Sequence, residues 1–358
     1  MSEKKIDLHH LYKIELPDSG APTKTDRYKP IINLNHVNVK KTDDVYQHAC
    51  NLTAWQNLYD QLRPGAFRGQ LIEGWIEGMQ FFMEYTSATV RQSRMVWPHA
   101  IWMGIPMLSF SPDAYIGGDC ISPQNTIAIK EGSKEFEMNT PEDYYIMGVV
   151  VDIEIFMRHL ENLYSDQLCL FTQALTNLTL HVNPLQKQYA VSLIQNSLSW
   201  IADHPELLTS DVALKALREN LLDNIAYLVF STDERHMKQH QVRDGYQRIV
   251  SRAREYILEH PGEVISIVDL CNVLHISRRT LQNHFQRMTG ISPHAYLKCI
   301  RLNAVRRELE SPFSVYKTVQ DAAMAWGFWH LGQFANDYKI LFNELPSYTL
   351  TSRQLCFN

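Results

Sequence analysis

The chain has 358 residues, 45% of them apolar and 20% charged, with a formal net charge of −5. That length allows two domains, each with its own core, and the composition is ordinary for a globular protein. No stretch approaches the roughly 18 unbroken apolar residues of a membrane span, so a membrane partner is not expected. The charge is uneven. Residues 245–358 hold 13 basic and 9 acidic residues, a net of +4, against −9 in the remainder. A basic surplus in one region points weakly to nucleic acid, and a solvated charged surface explains it equally well. The start, Met1 to Asp7, has no apolar run behind its lysines, so it does not read as a signal peptide and a cytoplasmic location is expected. The cysteines, six in number, form no C-x-x-C pair, as expected of small buried hydrophobes in a reducing compartment.

Residues 17–41, with Pro17, Gly20, Pro22 and Pro30, read as an irregular arm. Asp43 to Leu62 carries apolar residues at helical spacing, and Arg63-Pro64-Gly65 stops the run. Short alternating segments follow: Gln70–Ile76, Met79–Tyr85, Arg94–Trp97, Ala100–Leu108, Tyr115–Ile116, Thr126–Ile129, Glu135–Met138 and Tyr144–Val151. Many short strands in succession predict a small β-barrel or sandwich. From Asp152 the period changes. Ile155 to Leu163, Leu185 to Ile201 and Val212 to Phe230 fit three helices. The polar run Ser231 to Arg243, with His236 and His240, reads as a linker. The expected division is a β-rich domain over 1–150, a helical part over 151–230, a linker over 231–244 and a C-terminal domain over 245–358. The fold class is α+β: a barrel-like N-terminal domain with helices, then an all-α domain.

The C-terminal domain opens with an amphipathic helix, Ile249 to Leu258, ended by His260-Pro261-Gly262. Ser266 then caps a helix running to Leu274, with Asp269 placed to complete a capping box. After His275-Ile276, Ser277 caps Arg278 to Thr289, whose inner face is Leu281, Phe285 and Met288, and Gly290 closes it. Two short helices, a tight turn and arginines opening the second helix make a helix-turn-helix, whose second helix offers side chains to the major groove. Arg278, Arg279, Gln282, Asn283 and Gln286 lie on the outward face. Arginine matches guanine, and asparagine or glutamine matches adenine. Helical hairpins with basic faces also occur in ordinary bundles, so one copy is modest support.

The pattern repeats. Val319 to Phe328 mirrors Ile267 to Ile276. After one inserted residue Leu281 matches Phe334, Phe285 matches Tyr338, and Pro293 matches Pro346. The units span about 266–289 and 318–343. Between them, Pro293 to Glu310 predicts a helix capped by Ser292. Its length, roughly 27 Å at about 1.5 Å per residue, compares with the roughly 34 Å between successive major grooves. One copy of the domain therefore reaches two groove segments.

Residues 245–358 resemble the DNA-binding domain of the AraC/XylS family of transcription regulators. The likeness implies double-stranded promoter DNA and RNA polymerase as partners, an effector-sensing role for residues 1–150 and a possible homodimer through 151–230. Carried over position by position, it places Arg279, Gln282 and Asn283 against bases in the first unit. In the second it places His330, Gly332, Gln333 and Asn336. The family's usual serine cap and central arginine are absent from the second unit, replaced by His330 and Asn336, which implies weaker base contacts there. Lys298, Arg306, Arg307 and Lys339 are the expected phosphate contacts. Arg301 is expected either to join them or to pair with Asp321 inside the domain. Leu8 to Tyr12, Asp44 to Ala49, Pro141 to Tyr144 and Asp321 to Ala335 are further similar to regulators of ethanolamine utilisation in enteric bacteria. That likeness implies activation of ethanolamine-breakdown genes, with ethanolamine and adenosylcobalamin as small-molecule effectors.

An ethanolamine ammonium calls for a carboxylate and an aromatic face. Trp55, Trp75, Glu84, Trp97, Trp102 and Asp143 are candidates, although tryptophans in a domain of this size are mostly core. His9, His10, His36, His48 and His99 show no context that singles one out for cobalt. An enzyme is not expected. A metal-dependent barrel would need H-x-H with a downstream Glu and His, and neither that nor a P-loop or G-x-S-x-G is present, so no catalytic or metal residue is named. The alternative regulator senses a fatty acid, which would want an apolar cavity without a carboxylate, or a protein partner.

Overall fold

The computed structural model describes residues 37–107, 114–204, 209–232 and 244–356. Two antiparallel sheets form the β-rich part. The larger has seven strands in the order β1 (Val37–Thr42), β3 (Gly69–Ile76), β4 (Met79–Thr86), β11 (Tyr144–Asp152), β6 (Ala100–Pro106), β9 (Thr126–Glu131) and β12 (Thr179–His181). The smaller has five, in the order β2 (Gln56–Gln61), β5 (Val90–Met95), β10 (Phe136–Thr140), β7 (Ala114–Ile116) and β8 (Asp119–Ile121). The sheets pack face to face without closing, so the barrel-like domain is an open sandwich.

Alternation along each strand assigns the large sheet's two faces. One face, with Met79, Phe81, Ile101, Met103, Met147 and Val149, packs against helices α2 (Ile153–Leu163), α3 (Leu168–Ala174), α4 (Pro184–Asp203) and α5 (Asp211–Phe230). The other, with Leu71, Phe82, Trp102, Ile146 and Val150, meets the small sheet's Phe136 and Met138. Gly104 and Gly148, opposite one another on β6 and β11, let the rings of Trp102 and Phe82 lie on the backbone; a Cβ at either would stand 2.0–2.3 Å from a ring carbon.

Two expectations are corrected here. Asp43 to Leu62 is not one helix. Asp44 caps a six-residue helix, α1 (Val45–Cys50), Ala54 takes a left-handed φ of 63°, and the chain re-emerges as β2, paired with β5. Pairing with a partner 30 residues away outweighs the local helical spacing. The arm over 17–41 ends in a strand, since residues 37–41 belong to β1; its earlier part lies outside the described residues. So do His9, His10 and His36, and most of the expected linker, including His236 and His240. Among the described residues no helix is long and apolar enough to cross a membrane.

The C-terminal domain is helical throughout: α6 (Asp244–Glu259), α7 (Ile267–Leu274), α8 (Arg278–Thr289), α9 (Pro293–Glu310), α10 (Val319–Ala325), α11 (Leu331–Phe342) and α12 (Pro346–Cys356). Leu270, Leu281, Phe285, Ile300, Val305, Phe334 and Tyr338 share one core with Leu62 of the β-rich part. α9 is its axle. Arg301 to Arg307 are all buried, so this helix has no open side over two turns.

Candidate nucleic-acid interface

Both predicted units form. In the first, Ser266 and Asp269 complete a capping box on α7, and the Ser277 hydroxyl accepts from the Thr280 amide 3.1 Å away at the start of α8. In the second, the Thr318 hydroxyl accepts from the Asp321 amide at 3.0 Å, while His330 precedes α11 without a side-chain cap. The turn between helices needs a left-handed residue at matching positions. His275 supplies it at φ 54° and Gly327 at φ 79°.

The apolar faces point inward, with Leu281, Phe285, Phe334 and Tyr338 at most 1% exposed. The opposite faces are therefore displayed. Arg278, Arg279, Gln282, Asn283 and Gln286 are exposed on α8, and His330, Gly332, Gln333, Asn336 and Lys339 are exposed at α11. Arg278 and Arg279 have no ion pair among the described residues. On α11, Gln333 Nε2 donates to Asp337 Oδ1 at 3.2 Å, and Lys298 Nζ on α9 donates to the same oxygen at 2.9 Å. Lys298 is thus half engaged from behind the second unit.

Three expected contacts are corrected. Arg306 and Arg307 are 5% and 9% exposed and face carboxylates of the β-rich part, so phosphate has no access to them here. Arg306 Nε donates to Asp44 Oδ2 at 2.5 Å, and Arg307 Nη1 donates to Asp60 Oδ1 at 2.6 Å. Arg301 does not pair with Asp321. It donates to the backbone carbonyl of Glu263, while Asp321 is occupied by the Thr318 hydroxyl at 2.7 Å.

Of the effector candidates, Trp55, Trp97, Trp102 and Glu84 gather between the two sheets. Trp55 stands edge-on to Trp102, which stacks on Phe136. Trp97 lies 6.2 Å from the half-buried Trp75. Glu84 is corrected as a ligand contact because its charge is already met by a buried guanidinium. Arg94 pairs with it, Tyr59 Oη donates to it at 2.7 Å, and His48 Nε2 lies 3.2 Å away. Burial pushes its carboxyl pKa up, but Arg94 and the hydrogen bonds from His48 and Tyr59 bring it down to about 2. Asp143 is corrected too. It is exposed in the turn before β11 and accepts from Tyr85, which lies on the face of β4 opposite Glu84.

Glu73 was missed by sequence reasoning. It is 1% exposed, yet all its partners are neutral: Trp75 Nε1 at 2.9 Å, Gln80 Nε2 at 2.7 Å, Thr53 Oγ1 at 2.9 Å and the Thr53 amide at 3.4 Å. Among the described residues no cation faces it. Gln80 in turn accepts from Trp55 Nε1 at 2.8 Å. The available signal was an acid at an inward position of β3, between Leu71 and Trp75. A separate cavity of about 240 Å³ opens between α2 and α5, lined by Ile155, Arg158, His159, Asn162, Leu163, Arg218, Glu219 and Leu222.

Two matched helix-turn-helix units, hung on one buried helix with their polar helix faces outward, define a DNA-reading protein of the two-unit type. Residues 270–352 match the helix-turn-helix domain family model. The chain is 33% identical over 159 residues to XylDLEGF operon transcriptional activator 2 of Pseudomonas putida, a match covering 44% of this chain and 90% of that one. It is 29% identical over 158 residues to the probable thc operon regulatory protein of Rhodococcus erythropolis, covering 44% of this chain and 47% of that one. A solved probable AraC family transcriptional regulator from Rhodopseudomonas palustris is 37% identical, covering 30% of this chain and 97% of that one, with a TM-score of 0.27. The chain belongs to the AraC/XylS family of DNA-binding transcription regulators.

Proposed function

We propose that this regulator activates genes of ethanolamine breakdown, reading their promoters through α8 and α11 and responding to ethanolamine together with adenosylcobalamin. The observation that carries the ethanolamine reading is Glu73. A buried carboxylate without a counter-charge is costly, and neutral donors offset only part of that cost. Both Glu73 oxygens already accept bonds, so an ammonium would take the place of the exposed Thr53 donors on Oε2, making a charge-assisted hydrogen bond with the indoles of Trp75 and Trp97 nearby. Thr53 is exposed and Trp75 half-buried, so Glu73 lies one layer beneath the surface, within reach of a small amino alcohol. The sequence likeness over Asp44 to Ala49 and Pro141 to Tyr144 supports the same assignment.

Adenosylcobalamin rests on the likeness alone. The rings of Trp55, Phe82, Trp102 and Phe136 fill the space between the sheets, so the residues there do not fit a corrin. His48 is engaged by Glu84. RNA polymerase is the partner an activator requires. A second copy of the chain is supported by Leu185, Tyr189 and Trp200, exposed on α4. The fatty-acid alternative is disfavoured because the cavity between α2 and α5 holds the carboxylate Glu219, and its His159 and Arg218 are already paired with Glu219, Asp223 and Glu77.

Thermal unfolding with added ethanolamine tests the reading. At a hundredfold excess over the dissociation constant, stabilisation of roughly 2.7 kcal/mol is expected, and Glu73→Gln should abolish it. No shift in the unsubstituted protein at saturating ethanolamine overturns the assignment.

A further inference from the structure

One face of α9 belongs to the β-rich part. Cys299, Asn303, Arg306, Arg307 and Glu310 follow one another at i, i+4, i+7, i+8 and i+11, a single helical stripe. Every one of them meets β2, the segment after it, or α1 and its cap Asp44. Asn303 and Gln61 exchange two bonds in the manner of a strand pair: the Gln61 amide donates to Asn303 Oδ1 at 2.9 Å and Asn303 Nδ2 donates to the Gln61 carbonyl at 2.8 Å. Cys299 Sγ donates to the Leu62 carbonyl at 3.5 Å. Gln47 Nε2 donates to Glu310 Oε2 at 3.0 Å.

Asp60 is the centre of this contact. It is fully buried and faces three arginines: Arg307 on α9 at 2.6 Å, Arg254 on α6 at 3.1 Å and Arg91 on β5 at 3.5 Å. Burial pushes its carboxyl up, but Arg254, Arg307 and Arg91 together hold it at about 2. The same segment also reaches the far ends of both recognition helices. Arg63 Nη2 donates to the carbonyl of Gly290, the residue that ends α8, at 3.3 Å. Gln61 Nε2 and the Gly65 amide donate to the carbonyl of Leu341, in the last turn of α11, at 2.9 and 3.1 Å. Donors at helix C-termini meet carbonyls that have no partner within the helix.

We propose that Gln56–Gly65 of the β-rich part is a positioning element for DNA reading, which sets the spacing and rotation of the two recognition helices by holding α9 and both helix ends in one frame. The element begins one residue after Trp55, which bonds Gln80 and, through it, Glu73. Movement at the aromatic box is therefore carried along one strand of roughly 20 Å to α9; this second part rests on the effector reading above. The physical case is that two rigid helices joined by a third read DNA only when both fall in register. One base pair displaces a reading helix by about 3.4 Å and about 35°.

The test uses the full chain and duplexes selected by it from a random pool. The selected sequence is rebuilt with one base pair inserted or removed between its two contacted segments. The unsubstituted protein should lose about tenfold or more in affinity on either change, and Asp60→Asn should reduce that penalty to about threefold or less. A penalty that stays within about twofold of the unsubstituted protein overturns the proposal, as does a uniform loss on all spacings accompanied by a lowered melting temperature. If Asp60→Asn fails to fold, Asn303→Ala and the exposed Arg63→Ala are read on the same series, and unchanged penalties in both overturn it. Ethanolamine is then added. A thermal shift without any change in the spacing penalty overturns transmission along the strand and leaves the effector reading intact. Absence of a thermal shift counts against the effector reading, while the substitution series still decides the positioning role.

Discussion

The two helix-turn-helix units share a scaffold and differ in chemistry. The first opens its recognition helix with Ser277 as a bonded cap and with Arg278 and Arg279 exposed, without ion pairs among the described residues. The second opens with His330, which makes no side-chain cap, and its central acid Asp337 is spent on Gln333 and Lys298. Arginine can pair twice with guanine, whereas Asn336 and the constrained Gln333 suit adenine or backbone contact. The difference teaches a division of labour. The first unit is expected to read bases more strongly, while the second is held from α9 through Lys298 and from the β-rich part through Leu341.

The largest effect should come from what both units share. Asp60→Ala leaves buried Arg307, Arg254 and Arg91 without their common carboxylate, and a loss of about 3–5 kcal/mol in unfolding free energy is expected by denaturant titration. A loss below about 1 kcal/mol would separate the frame from stability. Asp60 also predicts the acid limb. Its folded value of about 2 lies below the ordinary 3.8, so its contribution is fully present above about pH 4 and disappears as pH falls through 2. That difference corresponds to about 2 kcal/mol, which Asp60→Asn should remove from the pH dependence between about 4 and 2.

The next effect separates the units. Arg279→Ala should cost about 1–3 kcal/mol of binding and relax preference at one base pair, whereas Asn336→Ala should cost less than about 1 kcal/mol, by titration against a selected duplex and its single-base variants. An equal loss at both positions would erase the division of labour. Capping sharpens the same contrast. Ser277→Ala should destabilise the protein by about 1 kcal/mol, and His330→Ser should stabilise it by several tenths, both by thermal unfolding. An effect of similar small size lies at the turns. His275 holds a left-handed conformation that Gly327 adopts freely, so His275→Gly should gain roughly 0.5 kcal/mol, and Gly327→His should lose more than that.

Much of the reading half was legible. Serine caps, an inward stripe of Leu281, Phe285, Phe334 and Tyr338, and prolines at the first turns of α9 and α12 are local signals, each decided within a few residues. The arginines were misassigned for a reason of the same kind. Arg306 and Arg307 are basic residues in a basic domain, and of the carboxylates that claim them only Glu310 is near in the chain. Asp44 and Asp60 lie about 250 residues away. Trp55, Trp97 and Trp102 share the core between the sheets, but choosing the acid among them needed geometry. Glu84 looked available and is bonded by Arg94, Tyr59 and His48, while Glu73 drew no notice and, among the described residues, is met by neutral donors.

The sequence by itself determined the two units, their connector and the outward faces of their second helices, because helix periodicity and caps are short-range properties. It also determined the β-rich start and the helical interlude that follows. Tertiary structure alone decided that Asp43 to Leu62 breaks into α1 and β2, since strand pairing with β5 is worth more than local helical spacing. It alone turned α9 from a displayed phosphate-binding rod into a buried axle. That outcome follows from charge compensation: Arg306 and Arg307 leave water where Asp44, Glu344 and Asp60 meet them, and those partners come together only once the chain has folded.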